Sequence, residues 1–160
     1  MHKLYLALAI TFSLLIGCTE ENSAKNAINP SASEEEVNRW KNALGLWEGQ
    51  TPIENGDEYH WLLSLSEEGH FQLNATISHT DGTITKQIEV GDWGIDGNIY
   101  FVSPKGVIEE GNFVPFDTPK PDLYQAYEIL ESSSERFTIK HITSGDIFKT
   151  RRISTEVDSK

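Results

Sequence analysis

The stretch Phe71-Gln72-Leu73-Asn74-Ala75-Thr76-Ile77-Ser78 alternates apolar and polar residues without a break. Successive side chains of a strand point to opposite faces, so a period of two marks a strand buried on one side and wet on the other. Upstream, Tyr59 to Leu65 reads as a second strand, joined to the first by the turn Glu67-Glu68-Gly69. Downstream, Asp81-Gly82 turns the chain into Thr83–Val90. A strand over Asp92–Ile95 meets another hairpin signal, Asp96-Gly97, and Asn98–Ser103 returns from it. Leu46–Thr51, Leu123–Glu131, Arg136–Ile142 and Ile147–Ile153 complete a set of about eight to nine short strands, the last two joined by Ser144-Gly145-Asp146. Such a run of antiparallel hairpins predicts an all-β domain, either a closed up-and-down barrel or a sandwich.

Two segments depart from this period. Ser33-Glu34-Glu35-Glu36 is a capping-box pattern, a serine at the N-cap with a glutamate three residues on. It opens a short helix whose Val37, Trp40 and Leu44 share a face, and Gly45 ends it. Pro104 to Pro121 reads as a long connection containing four of the six prolines. It carries Phe113, Val114 and Phe116, apolar residues that a disordered loop has little use for, and is expected either to cover the barrel mouth or to pack on the wall.

The N-terminus carries its own signal. Met1-His2-Lys3 precedes an apolar run from Leu4 to Ile16, too short for a spanning helix, which needs about 20 apolar residues. Leu15-Ile16-Gly17-Cys18 resembles the lipobox of bacterial lipoproteins, and Cys18 is the only cysteine in the chain. The resemblance implies cleavage before Cys18, diacylglycerol on its sulfur and a further acyl chain on the new amine. Two or more chains give stable anchoring, since each buried CH₂ contributes about 0.8 kcal/mol. Thr19 stands where an aspartate would favour inner-membrane retention, so the expected place is the outer membrane, facing the periplasm. Residues 1–17 are thus expected to be a signal peptide, 18–32 a lipidated cysteine and flexible polar linker, and 33–160 one folded domain. The linker reaches about 20 Å by coil scaling.

Removal of residues 1–17 leaves enough chain for one domain with one core. With Cys18 carrying lipid, no disulfide can form, so stability must come from packing. The formal charge of −12 disfavours nucleic acid and anionic membrane surfaces. It suits a basic partner, though solubility alone explains it.

Gly45-Leu46-Trp47 lies where the helix meets the first strand. This resembles the G-x-W motif of lipocalins and lipocalin-like domains, as does Gly91-Asp92-Trp93-Gly94-Ile95-Asp96-Gly97-Asn98-Ile99-Tyr100 the hairpin of bacterial members. The resemblance covers about Gly45 to Ile153 and implies an up-and-down β-barrel preceded by a short N-terminal helix. It also implies that Trp47 packs at the closed end under an arginine of the last strand. Arg152, sharing a strand face with Phe148 and Thr150, is the expected partner. A second lipocalin motif is missing.

Parity along the strands suggests that Glu89, His141 and Arg152 face the interior and form a polar floor, either for a ligand or as a structural network. Trp61, Tyr100 and Tyr127 are candidates for an aromatic wall. His60, His70, His79 and His141 lack metal-ligand spacing, and no cofactor is implied. No Gly-x-Ser-x-Gly occurs, and pairs among Glu89, Asp92 and Glu128 arise easily by chance in so acidic a chain. Three readings follow in order of support: a module binding a small apolar or amphipathic molecule, an envelope interaction or inhibitor protein using its surface loops, and an enzyme.

Overall fold

A computed structural model of the chain describes residues 33–117 and 123–153. Cys18, the signal segment 1–17 and the linker 18–32 lie outside the described residues, as does the end of the proline-rich connection. Helix α1 (Glu34–Ala43) is followed by β1 (Gly45–Pro52), a short 3₁₀ turn (Glu54–Gly56), β2 (Glu58–Leu65), β3 (His70–Ser78), β4 (Ile84–Asp96), β5 (Ile99–Glu109), β6 (Asn112–Pro115), β7 (Gln125–Ser132), β8 (Arg136–His141) and β9 (Ile147–Arg152).

All pairings are antiparallel, and eight strands close on themselves. The ladder runs β4-β3-β2-β1-β9-β8-β7-β5, and a β4–β5 pairing joins its ends. Apart from β6, each strand neighbours those before and after it in sequence, which is up-and-down topology. Closure pairs each of the eight barrel strands on both sides, and β6, paired with β5 alone, is left as an edge strand. The expectation of an all-β up-and-down barrel behind a short helix therefore holds, with the barrel chosen over the sandwich.

Three sequence expectations need correction. Thr83–Val90 and Asp92–Ile95 are one strand, β4. Gly91 does not break it, because the extra residue of the bulge is Lys105 on β5: Val90 pairs with Gly106 and Gly91 with Pro104. The connection from Pro104 is not a loop either. Strand β5 runs on to Glu109, turns through Glu110 and Gly111, both at positive φ, and returns as β6. That geometry usually takes Asn-Gly or Asp-Gly, so Glu-Gly concealed the hairpin. On α1, Val37 is 39% exposed and the buried position is Ala43. The last helical turn packs on the barrel floor, so the buried face runs through Trp40, Ala43 and Leu44.

The capping box at Ser33 forms as the pattern implies. The Ser33 hydroxyl accepts from the Glu36 N–H at 3.2 Å, and the Glu36 carboxylate accepts from the Ser33 N–H at 2.7 Å. At its other end α1 closes the barrel. Trp40 stacks on Trp93 with centroids 4.2 Å apart, and Arg39 donates to the carbonyl of Gly97 at 2.6 Å. The C-terminal carbonyls of a helix have no partner within it. Here the Trp47 indole N–H donates to the Ala43 carbonyl at 2.7 Å, and the Arg152 guanidinium donates to those of Asn42 and Leu44 at 2.7 and 2.6 Å. The same guanidinium lies over Trp47, 4.2 Å from the ring centroid. A cation at the negative end of the helix dipole adds to the closure.

Candidate ligand-binding cavity

Below the middle of the barrel the inward side chains meet. Trp47, Phe137, Tyr100, Trp93, Leu65 and Phe71 are all buried and form the floor. Above them the side chains do not meet. A cavity of about 380 Å³ remains, with a mostly apolar wall that includes Leu73, Ala75, Ile77 and Ile139. Exposed Thr85 and Gln87 mark its rim.

Aromatic rings line one side in sequence around the barrel. Tyr59 stacks on Trp61 at 5.2 Å, and Trp61 meets Phe148 edge-on at 5.8 Å. Phe148 meets Tyr127 at 6.0 Å, and Tyr127 meets Tyr100 at 5.7 Å. These are the offset and edge geometries that ring quadrupoles favour. One glycine permits the start of this belt. Gly49 on β1 pairs with Trp61 on β2, and a Cβ there would lie 2.1 Å from Cζ2 of the indole. Gly49→Ala is expected to displace Trp61 and destabilise the protein by about 1–3 kcal/mol. A lower urea midpoint together with shifted tryptophan emission would be the sign of it.

Glu89 on β4 is the one charged side chain among the described residues that line the cavity. Burial raises its pKa, and no hydrogen bond offsets that. Burial likewise raises the Tyr59 phenol, and pushes that of Tyr127 up to about 12. Tyr100 is raised further still, by burial and then by Tyr127 and Glu89. The Tyr127 hydroxyl donates to the Gln125 side-chain oxygen. The phenols therefore stay neutral across the physiological range, and the cavity presents a single ionisable carboxyl to whatever enters.

Of the residues singled out from sequence, Trp61, Glu89, Tyr100 and Tyr127 come together in this wall. His141 and Arg152 do not join them, so the expected polar floor of Glu89, His141 and Arg152 does not assemble. His141 ends β8, so its inward parity carries it past the cavity. Its ring packs on Tyr127 at 5.1 Å, and Ser144 of the following turn hydrogen-bonds its Nδ1 at 2.8 Å. Arg152 sits at the opposite, closed end. The carboxylates of Glu89, Asp92 and Glu128 also fail to converge. Asp92 meets His70 at 3.0 Å and Lys105 at 3.2 Å, and Glu128 is exposed. Two further histidines also pair with carboxylates, His60 with Glu48 and His79 with Asp57. Among the described residues no three His, Cys, Asp or Glu side chains converge as metal ligands would.

Tyr59, Phe148 and Gly49 were not foreseen as part of the site. Tyr59 shares the parity of Trp61 and Leu63, and Phe148 that of Thr150, which was the available signal.

No protein-family model matches the chain, and a search of curated proteins finds no relative. Among solved structures, the chain is similar to the crystal structure of a lipocalin-like protein from Bacteroides uniformis ATCC 8492. The two are 16% identical with a TM-score of 0.42, over 70% of this chain and 99% of that one.

Proposed function

We propose that this protein is a lipid-anchored envelope protein whose barrel holds a small apolar or amphipathic molecule. The observation that carries the ligand reading is the hollow upper barrel. Its 380 Å³ lies within the roughly 300–1,000 Å³ of small-molecule sites, and its wall combines apolar side chains with a few polar ones. The anchor rests on Leu15-Ile16-Gly17-Cys18 at the end of an apolar run, with Thr19 favouring the outer membrane and a periplasmic location. Among the described residues no helix is long and apolar enough to cross a membrane.

Native mass spectrometry of protein taken from its own membrane tests the ligand reading. A copurifying small molecule, released on unfolding, is the expected result; repeated recovery of empty protein from its native source counts against it. Feeding cells labelled palmitate tests the anchor in the same preparation: label on the wild-type chain and none on Cys18→Ala is expected. An unlabelled wild-type chain removes the anchor and leaves the cavity standing.

A second reading, an interaction protein, retains one supporting observation. Phe113 and Val114 on β6 are 52% and 38% exposed. Such a protein has no need of a cavity, and the upper barrel is hollow.

A further inference from the structure

We propose that the cavity selects an organic cation, an ammonium group on an apolar body. This rests on the ligand-holding reading above and specifies the chemistry of its occupant.

The argument starts from charge. Among the described residues lining the cavity there is no Lys, Arg or His, and the only formal charge is that of Glu89. Elsewhere the protein pairs comparable carboxylates. Glu48 meets Arg151 and His60, Asp57 meets His79, and Asp92 meets His70 and Lys105. Among the described residues Glu89 has no hydrogen-bond or ion-pair partner, although it is half-buried. A half-buried carboxylate with no protein partner relies on water for its hydrogen bonds, and a ligand that fills the cavity displaces part of that water. An occupant that supplies donors to Glu89 replaces those hydrogen bonds, whereas one without donors leaves the carboxylate less well solvated than in the empty cup.

The aromatic wall favours the same sign of charge. Tyr59, Trp61, Phe148 and Tyr127 form a continuous run of rings along the cavity wall, Phe148 standing edge-on to Trp61 and Tyr127. The faces of aromatic rings carry negative potential, and ring clusters hold ammonium groups by it, at about 0.5–2 kcal/mol per contact. Glu89 and the rings line one cavity, so an ammonium group held there has both a carboxylate and aromatic wall to meet. A fatty acid, which an apolar cup would otherwise suit, brings a second carboxylate against Glu89 and is repelled. A neutral alcohol fills the space but leaves Glu89 only partly satisfied.

Hexylammonium, hexanol and hexanoate share one apolar body and differ in the head, and all three are soluble without forming micelles at useful concentrations. Binding of each to the full chain is read by calorimetry and by emission from the tryptophans. Hexylammonium is expected to bind at least tenfold tighter than hexanol, with hexanoate weakest. In Glu89→Gln that preference is expected to vanish, with hexylammonium binding weaker and hexanol binding retained or tightened because no carboxylate is left short of donors; hexanol binding also reports an intact cup. Glu89→Leu provides a second variant with the same expected loss. Hexanol binding as tightly as hexylammonium overturns the inference, as does a preference that survives both substitutions. In either case the ligand-holding reading is untouched. Failure of all three probes to bind instead overturns that reading, and this inference with it.

Discussion

Replacing Trp47 with alanine is expected to destabilise the protein by about 3–5 kcal/mol, the usual cost of truncating a buried aromatic. That is a large share of the roughly 5–15 kcal/mol by which domains of this size are stable. Trp47 has no exposed surface, and three separate interactions depend on it. Its ring packs on Phe137 with centroids 5.7 Å apart, its N–H satisfies the last carbonyl of α1, and its face carries Arg152. Truncation leaves a void, an orphaned helix carbonyl and a guanidinium with nothing to cover. Arg152→Ala attacks the same closure from the other side. It removes donors from Asn42, Leu44 and Ser134 carbonyls, and about 2 kcal/mol is expected, since water reaches these groups in part. Arg152→Lys keeps the charge but not the planar fork, so it should recover less than half of that loss. Urea denaturation followed by far-UV circular dichroism measures all three, because tryptophan emission itself changes in Trp47→Ala. A double-mutant cycle between Trp47 and Arg152 should give a coupling of about 0.5–2 kcal/mol. A loss below about 1 kcal/mol for Trp47→Ala would mean that the helix-to-barrel closure is not what holds the floor.

Most of the fold was legible in the sequence because its interactions are local or periodic. The alternation at Phe71–Ile77 identifies an inward face on β3, and Leu63, Trp61 and Tyr59 pair with it residue for residue. Trp47 and Arg152 were legible through a resemblance, and their Cα register pairs them directly. What stayed hidden depends on partners distant in the chain. Gly91 reads as a break, yet it lies mid-strand, where a Cβ would strike the Ser103 carbonyl at 2.3 Å and crowd Phe71. Nothing near Gly91 in sequence announces either neighbour. The site divides in the same way. Parity points Trp61, Tyr100, Tyr127 and Glu89 inward, but it equally points His141 and Arg152 inward. Height along the barrel separates the two groups, and height follows from strand stagger, which the ends of other strands determine. Whether inward aromatics meet at the centre or leave a hollow is likewise a matter of barrel radius. Eight strands leave an interior that side chains can just fill or that holds one small ligand, so the alternation alone could not decide between them.

A bulky residue at Ala75 should settle what the hollow is for. Ala75→Trp is expected to weaken binding of hexanol and hexylammonium alike by at least 100-fold, about 2.7 kcal/mol, without unfolding the protein. Ala75 lies in the cavity wall on β3, paired with Trp61 on one side and Gln87 on the other. An indole placed there enters space that no side chain occupies, next to a cross-strand aromatic with which it can pack. Enlarging a residue in a filled core usually costs about 1–3 kcal/mol in strain. In a hollow one, burial of new apolar surface offsets that strain, so the melting temperature should stay level or rise. The combination of retained fold and lost binding distinguishes occupation of the cavity from general damage. It also separates the cup from the surface: a partner held through Phe113 and Val114 on β6 would bind Ala75→Trp as well as it binds the wild-type protein. Hexanol binding to Ala75→Trp at wild-type affinity would mean that small molecules dock elsewhere, and the cavity would then be a packing defect rather than a site. Paired with Glu89→Gln, the variant divides binding into two parts, since loss of space removes all three probes and loss of charge removes only the distinction among them.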